Sequence, residues 1–155
     1  MVPGSMSVSA QRGFTLVELI VTMIVVGILA VAVVPRFADQ SGFDARGFRD
    51  GTLAVLRYAQ KSAVAQRRQV CVSFGADSVG LRIASDWGGV CDTDLAGPEG
   101  TTPYSIEAPE TSGFVAQPAD FSFLPSGAAS ADRVINVKGM PASPINVVAA
   151  TGYVY

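Results

Sequence analysis

The chain has 155 residues, about the size of one domain, with 49% apolar and 15% charged types. That balance excludes a disordered polyelectrolyte and implies that part of the chain is not solvated by water. The formal net charge of −2 argues against a basic nucleic-acid wrapper, and the lack of any histidine excludes Ser-His-Asp and Cys-His catalysis, His-based zinc sites and imidazole pH switches.

Charge divides the chain. Residues 14–35 carry one charge, Glu18. Residues 36–69 carry a net +4, and residues 70–155 a net −6. This pattern separates an apolar piece, a basic helical piece and an acidic remainder.

The apolar piece comes first. In the 21 residues of 14–34 the clearly polar ones are Thr15, Glu18 and Thr22. As a helix this run is about 31 Å long, close to the ~30 Å of a bilayer's hydrocarbon core. It exceeds the apolar stretch of a cleaved secretory signal, and it ends at Pro35-Arg36, where proline removes a backbone donor. An ionised Glu18 in such a helix costs about 2.5–3.5 kcal/mol near the bilayer centre and less near an end. Either it sits near the interface of an anchor helix, or a cation is brought to it on assembly.

Gly13-Phe14-Thr15-Leu16-Val17-Glu18, opening an apolar run, resembles the prepilin motif of type IV pilins and type II secretion pseudopilins. The resemblance implies that a membrane peptidase cuts after Gly13 and methylates the new amino terminus at Phe14. It further implies that Glu18 pairs with the terminal amine of a neighbouring subunit, and that Pro35 marks where the helix kinks or melts in the filament. Met1–Gly13 is then a leader with Arg12 as its cation, and Met6 is a second possible start. The implied partners are other pilin or pseudopilin subunits, the prepilin peptidase/methyltransferase and the inner membrane. The implied location is single-pass in that membrane with a periplasmic head, then a periplasmic or extracellular filament.

Residues 38–47 are rich in Gly, Asp and Ser, weak helix formers. From Phe48 a helical period returns: Phe48, Thr52, Val55, Leu56, Ala59 and Ala63 form an apolar stripe expected to pack on a sheet. Arg57, Lys61 and Arg68 lie on another face, with cations at 67 and 68 suiting the helix carboxyl end. They are either a solvated face or a contact for another subunit or a polyanion. The stretch 56–72 resembles the segment shared by minor pilins and pseudopilins of the GspH/FimT family, where a Tyr-Ala-rich helix runs into a first strand. The runs 35–37 and 43–48 resemble a minor pilin of mannose-sensitive haemagglutinin pili.

After Gln69 the period changes to two. Strands are expected at 70–74, 79–84, 104–108, 120–124, 134–138, 145–149 and 153–155, separated by Gly and Pro. The fold class is α+β: a long amino-terminal helix packed on a small all-β head of two short antiparallel sheets. The parts are a leader (1–13), a transmembrane and assembly helix (14–35), an amphipathic helix (36–69) and a β-rich head (70–155).

Cys71 and Cys91 are expected to form a disulfide on compartment grounds, because the resemblance places the head outside the cytoplasm. The alternative is two buried thiols. Residues 92–99 partly match a calcium loop, but Ala96 and Pro103 stand where acidic ligands are required, so a solvated acidic loop is expected. Trp87, beside Gly88-Gly89, is expected to be a packed aromatic rather than a ligand platform.

With no catalytic constellation and no implied cofactor or metal, the function expected is a structural one. The chain reads as a minor pilin or pseudopilin that initiates or caps a type IV pilus or type II secretion pseudopilus. The alternative is a FimT-like minor pilin binding nucleic acid for DNA uptake. Against it stand the head's net charge and Ser126-Gly127-Ala128-Ala129 in the loop where that activity places a basic motif.

Overall fold

The structure is a computed structural model that describes residues 14–37 and 40–155, with side chains described over 14–30 and 41–155. It divides into two compact units, Met1–Asp39 and Gln40–Tyr155.

The first unit holds helix α1, Leu16–Phe37. Thr15 caps it: its hydroxyl accepts from the Glu18 N–H at 3.3 Å, and its carbonyl accepts from the N–H groups of Glu18 (3.1 Å) and Leu19 (3.2 Å). This is the Thr-x-x-Glu pattern of a helix start, with the acid in the first turn beside the positive end of the helix dipole. The helix runs two residues beyond Pro35, past the stop expected from the sequence. Among the described residues no helix is long and apolar enough to cross a membrane. The described side chains of α1 end at Ala30, giving fifteen residues or about 22 Å, and the side chains of 31–35 lie outside the described residues. A membrane-length apolar helix over 14–35 is therefore not found within them.

The second unit begins with helix α2, Gln40–Gln66. It starts eight residues before the helical period returns at Phe48. Weak local propensity is overridden by tertiary contacts, since Ala45 and Phe48 are 1% and 4% exposed, and Thr111 Oγ1, 67 residues on in the chain, donates to Asp44. The helix stops with Arg67 in the left-handed region (φ 52°), its N–H bonded to the Val64 carbonyl and that of Arg68 to the Ala63 carbonyl. These paired bonds satisfy two terminal carbonyls.

Seven strands follow: β1 Val70–Phe74, β2 Ser78–Ala84, β3 Cys91–Asp94, β4 Ser105–Glu107, β5 Phe121–Phe123, β6 Arg133–Ile135 and β7 Ile145–Val147. The first five make an antiparallel sheet in the order β3-β2-β1-β5, with β4 beside β2. β3 faces the Arg82–Ala84 end of β2, and β4 faces the Ser78–Gly80 end. β6 and β7 form a second antiparallel sheet, joined by a bridge from Val147 to Val154 where a longer carboxyl-terminal strand is expected.

The α2 stripe of Phe48, Val55, Leu56, Ala59 and Ala63 lies in one buried cluster with Val70, Val72, Leu81 and Phe123 of the sheet and with Ile135, Ile145, Val147 and Val154. Thr52, fully buried, returns its hydroxyl proton to the Phe48 carbonyl at 2.8 Å.

Two expectations need correction. Residues 91–94 form edge strand β3 rather than a loop. Their side chains are polar because only the backbone is used for pairing, and Leu95, 4% exposed, pins the end. Trp87 is 75% exposed, not packed, because its loop runs beyond the end of the sheet where no core exists.

Candidate assembly site

Among the residues singled out in the sequence, Gly13 lies outside the described residues. Phe14 precedes α1 and is 82% exposed. Glu18, third residue of α1, is exposed. Four residues separate the two, Phe14 standing two residues before the first residue of α1 and Glu18 lying in its first turn. Around them Leu16, Val17, Leu19, Ile20 and Val21 are all exposed, so the carboxylate stands alone on an apolar surface. Among the described residues it makes no ion pair. Pro35 lies within α1, its side chain outside the described residues.

Cys71 of β1 and Cys91 of β3 are joined in a disulfide with Cα atoms 6.0 Å apart. It ties together two strands that both pair with β2 and closes the base of the 85–90 loop. Asp92 closes it again, its carboxylate accepting from the Ser85 hydroxyl at 2.8 Å and the Ser85 N–H at 2.9 Å. These bonds, the hydroxyl's first, hold the Asp92 carboxyl below the usual aspartate range. Asp94 faces Arg82 at 3.4 Å. Among the described residues no three His, Cys, Asp or Glu side chains gather to hold a metal ion.

A cleft opens on one flank of α2, between the helix and the 96–104 segment. It is lined by Ala54, Arg57, Tyr58, Lys61, Pro98 and Tyr104 and encloses about 370 Å³. Its aromatic wall is fixed: Tyr58 Oη donates to the Ala96 carbonyl at 2.7 Å, and the Tyr58 and Tyr104 rings meet edge-on at 5.3 Å. Gly97 permits this closeness, because a Cβ there would lie 2.6 Å from the Tyr104 ring. The alternating positions of Arg57 and Lys61 mark an exposed face in the sequence. Their meeting with Tyr104 and Pro98, some forty residues on, was not legible there.

Residues 8–34 match the prokaryotic N-terminal methylation motif. The chain is 29% identical over 136 residues to the type IV narrow pilus major component PilA5 of Thermus thermophilus, covering 88% of this chain and 95% of that protein. The chain is thus similar to a type IV pilin over most of its length. Among solved structures it is similar to the type IV minor pilin FimU of Pseudomonas aeruginosa, at 14% identity and a TM-score of 0.47, over 76% of this chain and 88% of that one. The lone carboxylate of α1 falls inside the matched motif.

Proposed function

We propose that this chain is cut after Gly13, methylated at Phe14, and assembled into a filament by pairing Glu18 with the amino terminus of a neighbouring subunit. The observation that carries this reading is the placement of Glu18: an unpartnered carboxylate on an apolar helix, one turn from the residue that cutting would make the terminus. Cutting before Phe14 creates an ammonium at the positive end of the α1 dipole, where a cation is disfavoured. A subunit shifted along the axis by about one turn brings its carboxylate to that ammonium and neutralises both. Alone in an apolar medium, each group keeps its desolvation cost. Before assembly α1 is held in the inner membrane. The resemblance over 56–72 supports a minor pilin or pseudopilin, which primes or caps the filament rather than forming its bulk.

Glu18→Ala tests the reading. Mass spectrometry of the mature chain should still find methyl-Phe14, while incorporation into sheared filaments falls severalfold. Normal incorporation of the variant would remove the role of Glu18, and an intact leader in a host with a working peptidase would remove the processing step.

A further inference from the structure

Trp87 is the sole tryptophan of the chain, and it is 75% exposed next to Val90 at 80%. Their loop is braced at its base by the Cys71–Cys91 disulfide and the double Ser85–Asp92 bond. A turn from Gly89 N–H to the Asp86 carbonyl at 3.2 Å braces its tip. Holding an indole out in water forfeits its burial, and bracing the loop that holds it removes the ordering cost of later docking. A rigid exposed tryptophan is the usual anchor of a protein interface. Its flanks, Asp86 and Asp92, are acidic and exposed.

The α2 cleft has the complementary character. Its volume of about 370 Å³ exceeds the ~150 Å³ that suffices for benzene in a closed cavity, so an indole has room. Tyr58, Tyr104 and Pro98 offer ring edges and a flat apolar wall, and Arg57 and Lys61 stand at the rim one turn apart. Among the described residues neither cation has a carboxylate within 4.0 Å. A tryptophan entering here gains cation–π contact with the rim while Asp86 and Asp92 meet its charges. Because Trp87 is exposed, the chain's own cleft does not hold it.

We infer that Trp87 of one copy seats in the Arg57–Tyr58–Lys61–Tyr104 cleft of a second copy, with Asp86 and Asp92 facing Arg57 and Lys61. This rests on the reading of the chain as a filament subunit. The two surfaces are different patches of one molecule, so the contact, where it is not reciprocated across a twofold axis, is head-to-tail and can add copy after copy. A short run of copies made this way is a starting unit for a filament.

The test uses the full chain in its native host with photoreactive benzoylphenylalanine at position 87. The expected product on irradiation is a cross-link to peptides containing 54–61 or 98–104 of a second copy. Lys61→Glu should cut its yield by about tenfold, and adding Asp86→Lys should restore it. Both positions are exposed, so the variants keep the fold. Cross-links to lipid, to nucleic acid, to a different subunit or to another face overturn the inference. So does incorporation into filaments without any cross-link at the cleft. A chain that never enters a filament instead refutes the proposed function, and fractionation of the same cells reads that outcome separately.

Discussion

Removing the disulfide should expose how much of the head's stability is supplied through its unfolded state. Cys71 and Cys91 are 20 residues apart, and closing a loop of that length in the unfolded chain stabilises the fold by about 3 kcal/mol in the chain-entropy model. The double variant Cys71→Ser/Cys91→Ser leaves little else to lose. Both positions are half-buried, and the Gln69 amide and carbonyl already lie 4.0 and 3.7 Å from the two sulfurs, where hydroxyls could take up the same contacts. Urea unfolding of the full chain in detergent, followed by near-ultraviolet circular dichroism, reports the head's side-chain packing. With a slope of about 1–3 kcal/mol per molar urea, the midpoint should fall by roughly 1–3 M. Reductant added to the parent chain should move it by the same amount. A loss under about 1 kcal/mol would refute the reasoning, because it would mean that β1, β2 and β3 already hold the 71–91 loop closed in the unfolded ensemble.

Leu56→Ala, at a fully buried position of α2, should cost about 2–5 kcal/mol in the same titration, the penalty of a lost side chain plus the cavity it leaves. Arg67→Gly should stabilise by about 0.5–1 kcal/mol, since φ 52° strains an L-residue and not glycine, and a lowered urea midpoint would contradict that. The Ser85–Asp92 latch should loosen in acid. A carboxyl held below its ordinary pKa contributes stability above the unfolded value and loses it as pH falls through the folded one, so Trp87 fluorescence anisotropy should drop below about pH 4. Asp92→Asn should give a low, flat profile across that range.

The sequence was most legible where one physical demand governed the residues. β1 needed alternation and a nearby turn, and 70–74 is its observed span. The α2 stripe needed a 3.6-residue period, and Phe48, Val55, Leu56, Ala59 and Ala63 are all buried. Legibility failed where tertiary contacts override local signals. Residues 40–47 are helical because Ala45 and Phe48 are covered, not because Gly42 and Gly47 favour a helix. β3 lacks an apolar face because an edge strand pairs through its backbone, leaving Asp92 and Asp94 free to face solvent. Trp87 misled because a large aromatic is usually covered by its own domain, and no local pattern says when the cover must come from elsewhere. At the amino-terminal site, the order of residue types was itself the signal: a lone acid inside an apolar run is costly enough to stand out without a fold.

The division of the chain into two units separates the force that drives association from the features that direct it. Among the described residues, the buried apolar side chains all lie between Ala45 and Val154, in the second unit. The exposed apolar side chains of 14–30 are each worth about 1.5–3 kcal/mol on full burial, and that free energy is available only to whatever surrounds the helix. It is large, but it is nondirectional: a lipid tail and a neighbouring helix satisfy it almost equally. Selection between them must come from groups that discriminate. In the proposed assembly Glu18 does so along the axis, because a lipid tail offers no cation and a neighbour's terminus does. The braced tryptophan and the cationic cleft do so laterally, because cation–π contact and opposed charges depend on position where apolar burial does not. Exchanging one exposed leucine or isoleucine of α1 for another should therefore change incorporation little, whereas neutralising Glu18 should change it severalfold. If both classes of substitution reduced incorporation equally, helix packing rather than charge pairing would set the register.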